Sequence, residues 1–248
     1  MKKTMTSAAL IGLTVCASHA AIIWTGGGNT DNLFDAANYS GGAPVETGSG
    51  TDTPLGDDLL IANATIGNGA GYTIGFGELE AGAGDTVTLS NTTLDATGTT
   101  GGFAGTSPGD VNDLGAVFNI TNNSFVNLQF IIHGTLNIDG TSAVRFRGGG
   151  NPINGTPADT NVNLTEAGAR LILTNAANFS TNAGNGNKIF AANASGTLVS
   201  YNSDNSILTL VTAGGVTTGT ANFSVVPEPS SALLAGLAGL GLVFRRRK

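Results

Sequence analysis

Few side chains in these 248 residues can serve as nucleophile, general base or metal ligand. The sequence holds one cysteine, Cys16, and two histidines, His19 and His133. Cys16 and His19 fall in an N-terminal stretch with leader character, which leaves His133 as the one histidine of the body. It follows Phe130-Ile131-Ile132 and precedes Gly134, a strand-end context. A zinc centre needs several nitrogen or sulfur ligands, and a Ser/His/Asp relay needs a nucleophile on a strained elbow; neither pattern surrounds His133. It is expected to hydrogen-bond between strands. Polysaccharide-cleaving chemistry would instead use clustered carboxylates, often with Ca²⁺, beside a basic residue. The candidates are Asp110, Asp113, Asp139, Arg145, Arg147 and Arg170. Arg145 and Arg147, two apart on an expected strand, share a face and could grip a carboxylate with both forks. The plainer alternative is a solvated edge, or ion pairs to acids such as Asp139. No paired-carboxylate spacing occurs, and Asn202-Ser203-Asp204-Asn205 offers one carboxylate, too few for a calcium loop. The expectation is a non-enzymatic chain with no catalytic residue, no metal and no cofactor.

Two terminal segments bracket whatever the body does. At the start, Met1-Lys2-Lys3 is a charged region and Ala8–Ala17 an apolar one. Ser18-His19-Ala20 then supplies the small residues a signal peptidase requires, so residues 1–20 are expected to be removed between Ala20 and Ala21. A rival reading lipidates Cys16 in Leu13-Thr14-Val15-Cys16, but Val15 is bulky for the position before the cysteine.

The end, residues 225–248, combines three parts. Val226-Pro227-Glu228-Pro229-Ser230 is an extended hinge, because each proline fixes φ and removes a donor. Ala232–Phe244 is apolar and uncharged, and Arg245-Arg246-Arg247-Lys248 forms a cationic stop. A helix from Ser230 to Phe244 rises only ~22 Å against a hydrocarbon core of ~30 Å, a short transmembrane helix suited to transient insertion. Hinge, helix and basic end together resemble the PEP-CTERM sorting signal of Gram-negative bacteria. The resemblance implies exosortase as processing partner, transient insertion in the bacterial inner membrane, and export to the cell surface or extracellular matrix. For many relatives it also implies association with exopolysaccharide or biofilm. It concerns about two dozen residues and is silent on the body.

Charge narrows the partners of that body. Six of the 10 Lys and Arg lie in the terminal segments, as does Glu228 among the 17 acids, so residues 21–226 carry 16 acids against Arg145, Arg147, Arg170 and Lys188, a net of −12. No nucleic-acid footprint exists in such a distribution. With 38 glycines, 6% aromatic residues and 11% charged ones, the body reads as all-β and rich in turns.

Residues 21–85 contain Trp24-Thr25-Gly26-Gly27-Gly28-Asn29, Phe34-Asp35-Ala36-Ala37-Asn38-Tyr39, Pro44 and Asp57-Asp58-Leu59-Leu60-Ile61. They are similar to the opening module of autotransporter-like β-helical surface proteins. Trp24, Phe34 and Tyr39 would cap the open end of a stack; Trp24, Tyr39, Arg145 and Arg147 are also the candidate glycan contacts. Residues 86–224 repeat an apolar, polar, apolar phrase followed by a polar corner. Leu89, Ile120, Ile138, Leu164 and Tyr201 occupy corresponding places, with Val144-Arg145-Phe146 and Leu171-Ile172-Leu173 as following strands. The pattern predicts a right-handed parallel β-helix, or solenoid, with an antiparallel β-sandwich as the alternative and almost no helix. The many Asn-Xaa-Ser/Thr sites, Asn63, Asn91, Asn119, Asn122 and Asn163 among them, are expected to be left-handed turn residues and side-chain ladders between coils. A carbohydrate-binding module and a β-helical polysaccharide lyase or hydrolase are the alternatives to a passive surface protein.

Overall fold

The computed structural model describes residues 22–28, 35–40, 58–66, 79–81, 84–95, 103–105, 116–148, 152–154, 160–184 and 188–223. The leader, Ala20 and Ala21 included, and the tail, with Val226, Pro227, Glu228, Pro229, Ser230 and Arg245, Arg246, Arg247 and Lys248, lie outside them. So does the apolar segment between the hinge and the cations; no helix among the described residues is long and apolar enough to cross a membrane.

At the N-terminal end, β1 (Ile22–Trp24) pairs antiparallel with β2 (Tyr39–Ser40). The chain then visits three sheets repeatedly in the same order. The first pass gives β3 (Leu59–Ala62), β4 (Thr65–Ile66) and β5 (Leu79–Ala81); the second gives β6 (Thr86–Ser90), β7 (Thr93–Asp95) and β8 (Phe103–Gly105). A third gives β9 (Val117–Thr121), β10 (Phe125–Leu128) and β11 (Ile131–Ile132). The fourth gives β12 (Thr135–Ile138), β13 (Ala143–Phe146) and a single parallel bridge, Ile131 with Ile153. In the fifth, β14 (Asn161–Leu164) and β15 (Arg170–Leu173) lead into a helix, α1 (Ala176–Gly184). β16 (Ile189–Ala192) adds a last parallel strand, β17 (Leu198–Ser200) turns back beside it, and β18 (Leu208–Ala213) and β19 (Val216–Ala221) form a hairpin.

The nine-stranded sheet runs β17-β16-β14-β12-β9-β6-β3-β1-β2, the seven-stranded sheet β18-β19-β15-β13-β10-β7-β4, and the three-stranded sheet β11-β8-β5. Both large sheets are mixed: pairing is parallel throughout their centres and antiparallel only at β1–β2, β16–β17, β15–β19 and β18–β19. The polar corners are therefore not the hairpin turns of a sandwich. β6 and β7 flank the corner at Asn91, yet they belong to different sheets. A tight hairpin does occur between β18 and β19, where Gly214 and Gly215 take φ of +58° and +78°, as a two-residue primed turn requires.

Period-two alternation sends one set of side chains inward, and the in-register pairing stacks them into columns. Ile61, Leu89, Ile120, Ile138, Leu164 and Ala191 form one column; Leu59, Val87, Phe118, Leu136, Val162 and Ile189 form the next. In the seven-stranded sheet, Ile66, Leu94, Val126, Val144 and Leu171 stack in the same way. All of these are buried.

The columns correct the sequence frame twice. Leu89, Ile120, Ile138 and Leu164 correspond as read, but their next partner is Ala191 rather than Tyr201, because β17 reverses direction through the 193–197 loop. The pattern also starts one pass earlier, since Leu59 and Ile61 already pair in register with Val87 and Leu89. Truncating a column should be costly: Ile138→Ala is expected to lose ~2–5 kcal/mol. Asn202→Ala, at an exposed position, should stay within ~0.5 kcal/mol, both read from chemical denaturation midpoints.

Candidate functional site

Trp24 and Tyr39 face each other across the β1–β2 pair, rings 5.1 Å apart and edge-on at 87°. Tyr39 is buried and Trp24 packs on the core. Below them Asn38, fully buried, accepts from the Thr25 hydroxyl and from the Gly28 amide. The pair packs at the end of the nine-stranded sheet, where β2 is the edge strand. Phe34 lies outside the described residues.

Arg145 projects from the outer face of β13, in a row with Asp95, Asn127 and Ile172. Asn127 donates to Asp95 at 2.8 Å. Arg147 follows the strand end, its amide bound to the Leu128 carbonyl at 2.8 Å. Burial lowers its guanidinium from the ordinary value, Asp95 opposes that shift and Arg145 adds to it. An acid acting on Arg147 is thus Asp95, two passes away. Arg170 lies exposed on β15 beside Ala143. Asp110 and Asp113 lie outside the described residues.

His133 sits at a left-handed φ of +52°, buried, with its amide donating to the Thr160 hydroxyl at 2.9 Å. Among the described residues no three His, Cys, Asp or Glu side chains are grouped to hold a metal. Sequence reasoning missed Lys188, which is 1% exposed and donates from Nζ to the Ile153 carbonyl at 2.8 Å. A lone lysine between Asn187 and Ile189 gives no signal of such burial. A cleft of about 390 Å³ lies between Asn193, Ser195, Asp204, Ser206 and Asn222. Its polar groups engage one another. Asp204 accepts from the Ser206 hydroxyl and amide, which draws its carboxyl below the usual value, and Asn193 accepts from Ser195 and Thr197. Within the Asn202–Asn205 segment, Asp204 accordingly caps a 3-10 turn.

Asparagines and hydroxyls knit the passes together. Asn63, Asn91 and Asn122 hold left-handed φ of 56°, 49° and 56° at successive corners, and Asn91 donates to Asn63 at 2.8 Å. Asn119, Asn137 and Asn163 are ladder members instead, joined at 2.9 and 3.0 Å along the outer face of the nine-stranded sheet. Inside the corner, Thr92, Ser124 and Ser142 are buried. The Thr92 amide donates to the Ser124 hydroxyl at 3.0 Å and the Ser124 amide to the Ser142 hydroxyl at 3.1 Å.

Asp139 completes the corner. Burial pushes its carboxyl up, but donors from Asn122, Ser142 and Thr141 outweigh that and hold it below the usual range. A depressed folded-state value contributes stability that is complete above the unfolded value, ~3.9, and is lost as pH falls through the folded one. Asp139→Asn should therefore lower the unfolding midpoint at neutral pH, with the gap to wild type closing on acidification below that window. Urea titrations across pH check this.

The chain's described surface thus shows structural networks, and the chemistry addressed to another protein sits beyond them, in the tail. No curated protein and no solved structure matches the chain. Residues 225–248 match the family model of the PEP-CTERM protein-sorting motif, which implies an exported protein processed at the membrane by exosortase.

Proposed function

We propose that this chain is a non-enzymatic exported surface or matrix protein of a Gram-negative bacterium, delivered by its two terminal segments. The leader ends at Ala20, and the tail holds the precursor in the inner membrane until exosortase acts on it. Glu228, constrained between Pro227 and Pro229, is the side chain the enzyme reads, while the apolar segment and the four terminal cations set its depth. The observation that carries this reading is the match of residues 225–248 to the sorting motif.

Between those segments the body is a right-handed parallel β-helix. The repeated visiting order of the three sheets supports it, as does the strong preference of parallel crossovers for one hand. A stack whose outer faces carry Asn, Thr and Ser suits a spacer or matrix component, with exopolysaccharide as its environment. The reading of the body as passive rests on how its titratable groups are spent: Asp139, Asp204 and Lys188 all serve backbone or corner contacts. Replacing Pro227 and Glu228 together by alanine should leave full-length protein in the membrane fraction, while wild type is released at lower mass. Release of the double variant at the wild-type rate would exclude sorting through this hinge.

A further inference from the structure

Three large hydrophobic residues are exposed among those described: Ile23 (42%), Leu198 (42%) and Val211 (57%). They stand on β17 and β18, which end the two large sheets, and on β1, one strand from the other end of the nine-stranded sheet. Among the described residues, the exposed large apolar side chains are thus confined to strands at or beside the sheet ends. A repeat stack normally finishes in polar caps, since each end would otherwise expose the groove that the next repeat fills.

The two ends differ in charge and in hydrogen-bonding edge. The described residues between 22 and 66, at the N-terminal end, include two acids, Asp35 and Asp58, and no base, and their edge strands β2 and β4 have two residues each. Residues 189–223, at the other end, hold one charged residue, Asp204, in a body of net −12. There β18 borders the seven-stranded sheet with six residues, Leu-Thr-Leu-Val-Thr-Ala, and has no neighbour on its outer side among the described residues. It pairs with β19 over all six positions without a bulge, and it contains no proline and no charge. Proteins protect such edges with lysine, proline, bulges or brevity, and β18 uses none of these.

We infer that β18 is an interaction edge, and that its partner is the β18 of a second copy of this chain, paired antiparallel about a two-fold axis. Antiparallel self-pairing joins identical strands and is satisfied by one surface patch on each copy. Two acidic bodies can meet there because the acids lie elsewhere. The N-terminal ends would instead bring Asp35 and Asp58 of each copy together over an edge of two residues. The joined seven-stranded sheets would run continuously through both molecules, with Val211 and its symmetry mate packed on one face.

The proposal stands apart from the sorting reading, since it concerns the released chain and not its processing. Light scattering on the mature secreted protein should give twice the single-chain mass, falling to one chain in Val211→Lys and in Thr209→Lys. A circular dichroism spectrum matching wild type and a cooperative thermal transition will show that both variants fold. Mild oxidation should link Val211→Cys into covalent pairs and leave Thr65→Cys, at the opposite edge of the same sheet, single. A single-chain mass up to the solubility limit would overturn the inference, including the case in which the chain's own tail covers β18. So would a dimer unaffected by both lysine variants, or cross-linking at Thr65→Cys in place of Val211→Cys.

Discussion

Backbone hydrogen bonds from each pass to the next hold every other feature in place. Thr135 donates to the Ala116 carbonyl, Thr165 to that of Ile138 and Ala143 to that of Ser124, all at 2.9 Å. A parallel ladder of this kind fixes register, and a slip of one residue would turn every inward side chain outward. Register in turn dictates composition: whatever stands over Leu89 must also be apolar, and Ile120, Ile138 and Leu164 comply. The same constraint places Asn over Asn on the outer face, where each amide can both give and accept.

Length varies where the ladder permits it. Between the first and second strands of successive passes lie two, two, three, four and five residues. That corner stays short because its contents are buried and bonded: the Ser124 hydroxyl donates toward the Leu89 and Thr121 carbonyls, and the Thr92 hydroxyl toward those of Ile61 and Ser90. An unmatched hydroxyl or amide at such a site would carry a desolvation penalty of ~1–3 kcal/mol. The spacings of 31, 18 and 26 residues between corresponding core positions arise elsewhere in each pass, which suits the Gly-rich stretches found there.

Alternation was the legible part of the fold. It is a local signal, and it aligned Leu89, Ile120, Ile138 and Leu164 with their true neighbours and marked β13 and β15 as strands. It failed where local pattern and pairing diverge. Ala191 is too small to stand out as a core position, so Tyr201, in a better-looking phrase, took its place in the frame. The first pass went unrecognised because 28 residues separate Ile61 from Leu89 with a long glycine-rich interval between them. Helix α1 lacks charged residues and reads as a loop; its start is fixed by Asn175, whose side chain accepts from the Asn178 amide at 3.0 Å. The action of Asp95 on Arg147 joins residues 52 apart in sequence, and only the stacking of β7, β10 and β13 brings them together. The tail was legible for the opposite reason, since all its parts are consecutive.

Phe179 carries a consequence for how long such a molecule can be. It projects from α1 beneath Gly219, where even a methyl group would come within 2.6 Å of its ring. The strand that contains Gly219 runs against the direction of its neighbour β15. A benzyl ring thus packs under the reversed strand, which presents β15 with an antiparallel neighbour in place of a parallel one. Parallel pairing in the seven-stranded sheet therefore ends at β15, and an inserted parallel strand could join that sheet only before it.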